Sequence, residues 1–224
     1  MTGDDPRPTA PTRHPVAGRL IQTDACVAEG AAWLAAADPR FAAALEATGP
    51  LPLRRRDDGF AALLSAIVSQ QVSVASGAAI WGRLGAAGLT EPRGIRAATD
   101  DDLRAAGLSR QQIRYARALA AADLPYAALR DRPTDEVIAT LVEVPGIGRW
   151  TAEIYAMFSL GRADVFAPGD LALQESARVL FGLDARPTEG ALRAMAEAWS
   201  PWRGVAARLL WAHYRVTKDR EGVR

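Results

Sequence analysis

An all-α fold is what this chain predicts, and three observations carry the prediction. Hydrophobic residues make up 49% of its 224 residues, with Ala and Leu dominant, and both are strong helix formers. Apolar side chains recur at helical spacing: Phe60, Leu63, Leu64, Ile67 and Val68 follow the i, i+3, i+4, i+7 pattern. No convincing stretch alternates between apolar and polar residues as a half-buried strand does. About ten short helices joined by tight turns follow from these patterns; such helices do not stand alone, so two helical subdomains flanking a cleft are expected.

Taken in order, residues 1–20 are rich in Pro, Thr, Arg and Asp, show no period, and read as a disordered tail. Asp24 opens a helix to about Ala37 with Cys26, Val27, Ala31 and Leu34 on one face, and Asp38-Pro39 breaks it. A short helix through Phe41 and Leu45 stops at Gly49-Pro50, and 51–56 is an extended connector. The amphipathic helix after Asp57 and Asp58 ends in Ser69-Gln70-Gln71, and Ser73 caps the next, which Gly85 and Gly88 close. Thr99 and the aspartates behind it suit a helix start; Ser109 with Gln112 forms a capping box for the helix that follows. Thr134 begins a helix that reaches a hairpin, Arg149 to Leu160 forms the one beyond it, and Asp170 to Phe181 and Thr188 to Trp199 follow. Ser200-Pro201 reads as the N-cap and N1 pair of a final helix through Trp211 and Tyr214. The folded domain is thus residues 21–218, with helices of about 60–130 as one subdomain, the N- and C-terminal segments as the other, and 219–224 as a second tail.

Composition narrows the function. The net charge of +1 means that any basic patch is local. One cysteine, Cys26, excludes an internal disulfide and a four-thiolate iron–sulfur cluster. No apolar run is long enough to cross a membrane, and no apolar signal core stands at the N-terminus, so a cytoplasmic location is expected.

The chemistry gathers between Leu141 and Gln174. Pro145 stops the first helix of the hairpin, and Gly146 and Gly148 are free to adopt positive φ. The second helix then starts with bare amide N–H groups, an anion site that a phosphodiester fits without its sequence being read. An ordinary helix–turn–helix corner is the plainer reading, but such a corner needs only one glycine. Twenty residues after Trp150, a Pro168-Gly169-Asp170 turn opens another helix. Asp170 fits a simple N-cap; a carboxylate there also suits a cationic sugar transition state.

VPGIGRWTA (residues 144–152) followed by DVFAPGD (164–170) resembles the helix-hairpin-helix superfamily of DNA glycosylases, within it most nearly the DNA-3-methyladenine glycosylase II branch. Supporting segments are AIVSQQVS (66–73) and WSPWR (199–203), and the resemblance covers roughly residues 24–218. Larger relatives carry an extra N-terminal α/β domain; the helical core alone is expected here. The resemblance implies a base-excision enzyme acting on double-stranded DNA with alkylated purines, nucleoid-associated in a bacterial type of cell and monomeric. It makes Asp170 the catalytic aspartate, which either stabilises the sugar cation directly or orients a water. Gly146, Gly148, Arg149 and Thr151 would hold the DNA backbone. Trp150 and Trp211 would line the base pocket, with Tyr155 and Trp202 as further walls; electron-rich indole favours a cationic alkylated base. Gln71, with Gln70 beside it, would be the wedge that fills the gap left by the extruded nucleotide.

Relatives that also nick the strand carry a Lys where this chain has Trp150, and the only lysine here is Lys218, so a monofunctional hydrolase is expected. Close relatives place an aromatic one turn after Trp150, where this chain has Ile154 with Tyr155 next to it, an offset of about 100° around the helix. No cofactor is required and no iron–sulfur cluster is expected, although the hairpin carbonyls of Val142, Val144 and Ile147 could hold Na+ or K+. Trp33 and Trp81 read as core. A non-catalytic DNA-binding hairpin module is the alternative, as is a glycosylase of the same superfamily for another damaged base.

Overall fold

The computed structural model describes residues 13, 14 and 17–222. The N-terminal helices α1 (Asp24–Ala37) and α2 (Pro39–Thr48) meet at Asp38, whose carboxylate accepts from the Arg40 N–H at 2.9 Å and caps α2. The face expected for α1 is the buried one. A connector leads to α3 (Phe60–Val68), which buries all five of its large apolar side chains, and Ser73 caps α4 (Val74–Ala86). Next come α5 (Pro92–Ala97) and α6 (Asp100–Ala105), then α7 (Arg110–Ala121) and the single turn α8 (Tyr126–Leu129). Full capping boxes start α6 at Thr99/Asp102 and α7 at Ser109/Gln112. The hairpin pair is α9 (Thr134–Val142) and α10 (Arg149–Phe158), followed by α11 (Leu171–Phe181), α12 (Glu189–Ala196), a 3-10 turn (Glu197–Trp199) and α13 (Arg203–Gly222).

The long helix α13 packs on α1, α2 and α11, which gathers both ends of the chain into one bundle. The second bundle centres on α7, packed by α3, α5 and α6. Helix α10 packs on α9 and touches α3, and its Phe158 meets Trp211 of α13 with ring centroids 5.8 Å apart, so the hairpin sits where the bundles meet. Arg162, 1% exposed, helps lock this junction: one guanidinium nitrogen donates to the carbonyls of Leu129, Arg130 and Arg132 at 2.8–3.2 Å and so closes the end of α8.

Four expectations need correction. Residues 17–20 are not a disordered tail: Gly18–Arg19 (β2) pairs antiparallel with Arg13–His14 (β1), and Leu20 bridges to Arg162. The backbone of Arg19 and Ile21 is held by Ala163 and Gly161, at 3.0 and 2.7 Å, and pairs this short leave no sequence period. Residues 1–12, 15 and 16 lie outside the described residues. Helix α13 continues into the expected tail at 219–224, as far as Gly222. Helices α5 and α8 are additional, too short to show a period of 3.6 residues. Ser200-Pro201 does not start the last helix; Ser200 closes the 3-10 turn, its hydroxyl donates to Asp164 at 2.8 Å, and α13 begins at Arg203. Among the described residues no helix is long and apolar enough to cross a membrane.

Candidate active site

The hairpin is fixed from inside by Val144 and Ile147, both buried, and by two short turns, Val144 N–H to Leu141 O at 3.1 Å and Ile147 N–H to Val144 O at 3.0 Å. Its glycines do different work. Gly146 sits at φ +97°, and a Cβ there would overlap the Tyr115 ring of α7. Gly148 is extended, at φ −80°, so the expectation of positive φ at both positions is corrected. What Gly148 supplies is clearance: it is the N-cap of α10, no side chain caps that helix, and a Cβ there would meet nothing within 4 Å. The first bond inward is Ala152 N–H to Gly148 O at 3.0 Å, leaving the amides of Arg149, Trp150 and Thr151 ahead of the ladder. That is a bare, positively polarised helix start.

The Arg149 side chain is tethered. Its Nε donates to Glu153 at 3.0 Å, and Arg193 donates to the same carboxylate oxygen at 3.1 Å. Burial pushes the Glu153 carboxyl above the ordinary range, against the opposing pull of Arg193 and Arg149. Val142 ends α9 and Val144 and Ile147 belong to the turn after it; Val144 O, which accepts from the Ile147 N–H, keeps a second lone pair. Neutral oxygens of this kind suit a hard monovalent cation. Among the described residues no group of His, Cys, Asp and Glu could hold a metal.

Gln70 and Gln71 part company. Gln70 Nε2 donates to Gly146 O at 2.9 Å, across 76 positions of sequence, and so ties the loop to the hairpin; as a wedge it is already engaged. Buried Gln112 steadies the same loop by donating to Val68 O at 2.9 Å. Gln71 is exposed and held at φ +56°, a conformation a non-glycine residue adopts only under constraint.

A cavity of about 600 Å³ opens between α3 and α10. Trp81, Trp150, Ile154 and Tyr155 supply its rings and apolar wall, Ala62 and Ala66 its floor, and Arg56, Asp57, Ser69, Gln70 and Thr151 its polar rim. Trp150 is 46% exposed. The Tyr155 hydroxyl accepts from the Gly59 N–H at 2.9 Å, and burial pushes its pKa up to about 12. Trp81, read as core, is therefore a cavity wall, while Trp33, read the same way, is 38% exposed. Trp202 is no pocket wall. It is 2% exposed, packs where Gly30 of α1 leaves room, and carries Arg19 over its ring at 4.6 Å. Trp211 stands outside the lining too, against Phe158 with ring centroids 5.8 Å apart.

Asp170 is the N-cap of α11, its Oδ1 accepting from the N–H of Ala172 and Leu173 at 2.9 and 3.1 Å. Its Oδ2 accepts from the Trp150 indole N–H at 3.1 Å. Two backbone donors and one side-chain donor thus fix the plane of the carboxylate, and the indole that fixes it lines the cavity. Trp81, Arg56 and Asp57 are among the lining residues that the sequence does not mark out; the run Arg54-Arg55-Arg56 is visible, but nothing local says where it points. Lys218, the one lysine, lies on α13 with its ammonium 5.9 Å from the Tyr214 ring.

A family model described as HhH-GPD superfamily base excision DNA repair protein matches residues 64–202. The chain is 30% identical over 171 residues to DNA-3-methyladenine glycosylase 1 of Schizosaccharomyces pombe, covering 72% of this chain and 75% of that one. It is 29% identical to DNA-3-methyladenine glycosylase 2 of Escherichia coli, covering 69% and 57%. The chain spans 44% of the length of a Bacillus subtilis relative to which it is 30% identical over 125 residues. Among solved structures, DNA-3-methyladenine glycosidase of Bacillus halodurans matches with a TM-score of 0.75 at 33% identity, over 83% of this chain and 88% of that one. The Schizosaccharomyces pombe 3-methyladenine DNA glycosylase in complex with abasic DNA matches with a TM-score of 0.73 at 28% identity, over 82% and 95%.

Proposed function

The chain belongs to the HhH-GPD superfamily of base excision DNA repair proteins, and from that premise we propose that it is a DNA glycosylase which excises alkylated purines of the 3-methyladenine type from duplex DNA by hydrolysis. The observation that carries the reading is the bond from the Trp150 indole, a wall of the cavity, to the Asp170 carboxylate. It joins a surface for stacking a base to an acceptor for positive charge.

The bare amides at the start of α10 take a phosphate of the lesion strand, and the carbonyls of Val142, Val144 and Ile147 would hold a monovalent cation, which would supply further positive charge for it. Gln71 enters the stack as the damaged nucleotide leaves it. The base enters the cavity against Trp150 and Trp81, where a cationic alkylpurine is held better than a neutral base. Ile154 stands where a second aromatic would, so stacking rests on Trp150 and Trp81. As the bond from C1′ to the base nitrogen breaks, its electron pair leaves with the base and positive charge develops on the sugar. Asp170 Oδ2 stabilises that charge, water adds to C1′ and gives up a proton to solvent, and an abasic site remains. No amine stands at the Trp150 position to attack C1′, so the strand stays intact. The protein acts as a monomer on the chromosome within the cell.

Incubation with methylated duplex DNA tests this. Free alkylpurine should appear, with strand breaks only after added alkali. Absence of released base contradicts the reading; a borohydride-trapped protein–DNA adduct contradicts the hydrolytic route.

A further inference from the structure

The connector into α3 carries three successive arginines, Arg54, Arg55 and Arg56, all exposed, and Arg215 of α13 is exposed beside them. Among the described residues none of the four has an acidic partner within 4.0 Å, and the neighbouring Asp58 is taken by Arg130 at 2.6 Å. They repel one another. The Arg54 guanidinium is lowered from its usual range by burial and by Arg215 and Arg56, and Arg208 beneath them is lowered to about 10 by burial and by Arg54 and Arg55. Arg208 itself holds the connector, donating to Leu53 O at 3.1 Å.

The cluster is placed as well as charged. Arg56 lines the base cavity, its guanidinium 5.8 Å from the Phe158 ring, and with Arg55 it also lines an adjoining cavity of about 350 Å³. Arg54 is at φ +51°, so among the described residues two of the three non-glycine residues at positive φ, Arg54 and Gln71, belong to segments on the cavity rim. Strained backbone of this kind collects at working sites. A protein of net charge +1 has gathered unpaired like charges at one edge of its cavity, an arrangement that a polyanion relieves.

We propose that Arg54, Arg55, Arg56 and Arg215 form a second phosphodiester-binding site, which holds the lesion strand on the connector's side of the cavity while the hairpin holds it at α10. The site rests on the glycosylase reading above, because it takes the ligand to be DNA backbone. It makes the extruded nucleotide a bridge between two clamps, and it needs no base-specific contact.

Arg54→Gln/Arg215→Gln tests the site without touching the cavity lining, and Gly148→Asp serves as the hairpin reference. Binding to an abasic-site duplex is measured from 50 to 300 mM NaCl. Each phosphate contact contributes about 0.9 to the slope of log Kd against log salt, so the double variant should lower the slope by about 2 and weaken binding roughly 30- to 100-fold near 0.1 M. Arg54→Lys/Arg215→Lys should restore most of the slope. An unchanged slope in the Gln variant, with Gly148→Asp still weakened, overturns the second site and leaves the DNA reading standing. Failure of the unaltered protein to bind duplex DNA at any of these salts overturns both.

Discussion

Replacing Trp150 by Phe keeps an aromatic ring at the cavity and removes one atom that matters, the indole nitrogen whose N–H reaches Asp170 Oδ2 at 3.1 Å. A hydrogen bond to a charged acceptor contributes about 1.5–3 kcal/mol, and partial exposure of Trp150 puts this one at the lower end. If that bond holds Asp170 Oδ2 where positive charge develops, its loss raises the barrier by about 1.4 kcal/mol, which is roughly tenfold in rate. The expected result is a tenfold fall in the single-turnover rate of base release, with binding to an abasic duplex changed less than about threefold, since Phe leaves the hairpin amides in place. Trp150→Ala, which removes the stacking surface as well, should fall further. A Trp150→Phe protein with the unaltered rate, or a faster one, refutes the positioning role of the indole.

The hairpin glycines should separate stability from binding. Gly146→Ala places a side chain at φ +97° against Tyr115 and should cost about 3 kcal/mol, read as a drop in the urea midpoint, whereas Gly148→Ala, extended and in open space, should cost less than about 1 kcal/mol yet weaken DNA binding. Gln71→Ala should weaken binding to lesion-bearing duplex more than to the same lesion in a single strand; equal losses count against the wedge. Arg130 holds the Asp58 carboxyl below its usual range, through hydrogen bonds first and charge second, with burial opposing. A depressed folded-state pKa contributes stability above the unfolded value that is lost as pH falls through the folded one. Asp58→Asn should therefore flatten the acid limb of Tm against pH, by no more than about 1 kcal/mol for so exposed a pair.

Features written locally were the legible ones. Asp170 as an N-cap, the capping boxes at Thr99 and Ser109, and the clearance around Gly148 each depend on a few adjacent residues. Features decided across the fold were not. Six tryptophans look alike in sequence, yet Trp81 lines the cavity, Trp202 is buried against α1, and Trp33 meets solvent. Nothing in the dipeptide Gln70-Gln71 tells which side chain is free, because the carbonyl to which Gln70 donates belongs to Gly146, with six helices of chain between them. Helix α8, a single turn closed by buried Arg162, has no period to read. The arginine run is plain in sequence; its meaning lies in its forming no ion pair among the described residues, although Asp57 and Asp58 follow it, Asp58 being paired with Arg130.

Asp170→Asn tests the central claim most directly. Asn caps a helix about as well as Asp, so α11 and its bonds to the Ala172 and Leu173 amides should survive, while the negative charge proposed to face the sugar is lost. Base release from methylated duplex DNA should fall by at least about a thousandfold, with Tm and binding to abasic DNA within a small factor of the unaltered protein. Release at the unaltered rate would contradict the assignment of Asp170, and with it the chemistry built on it.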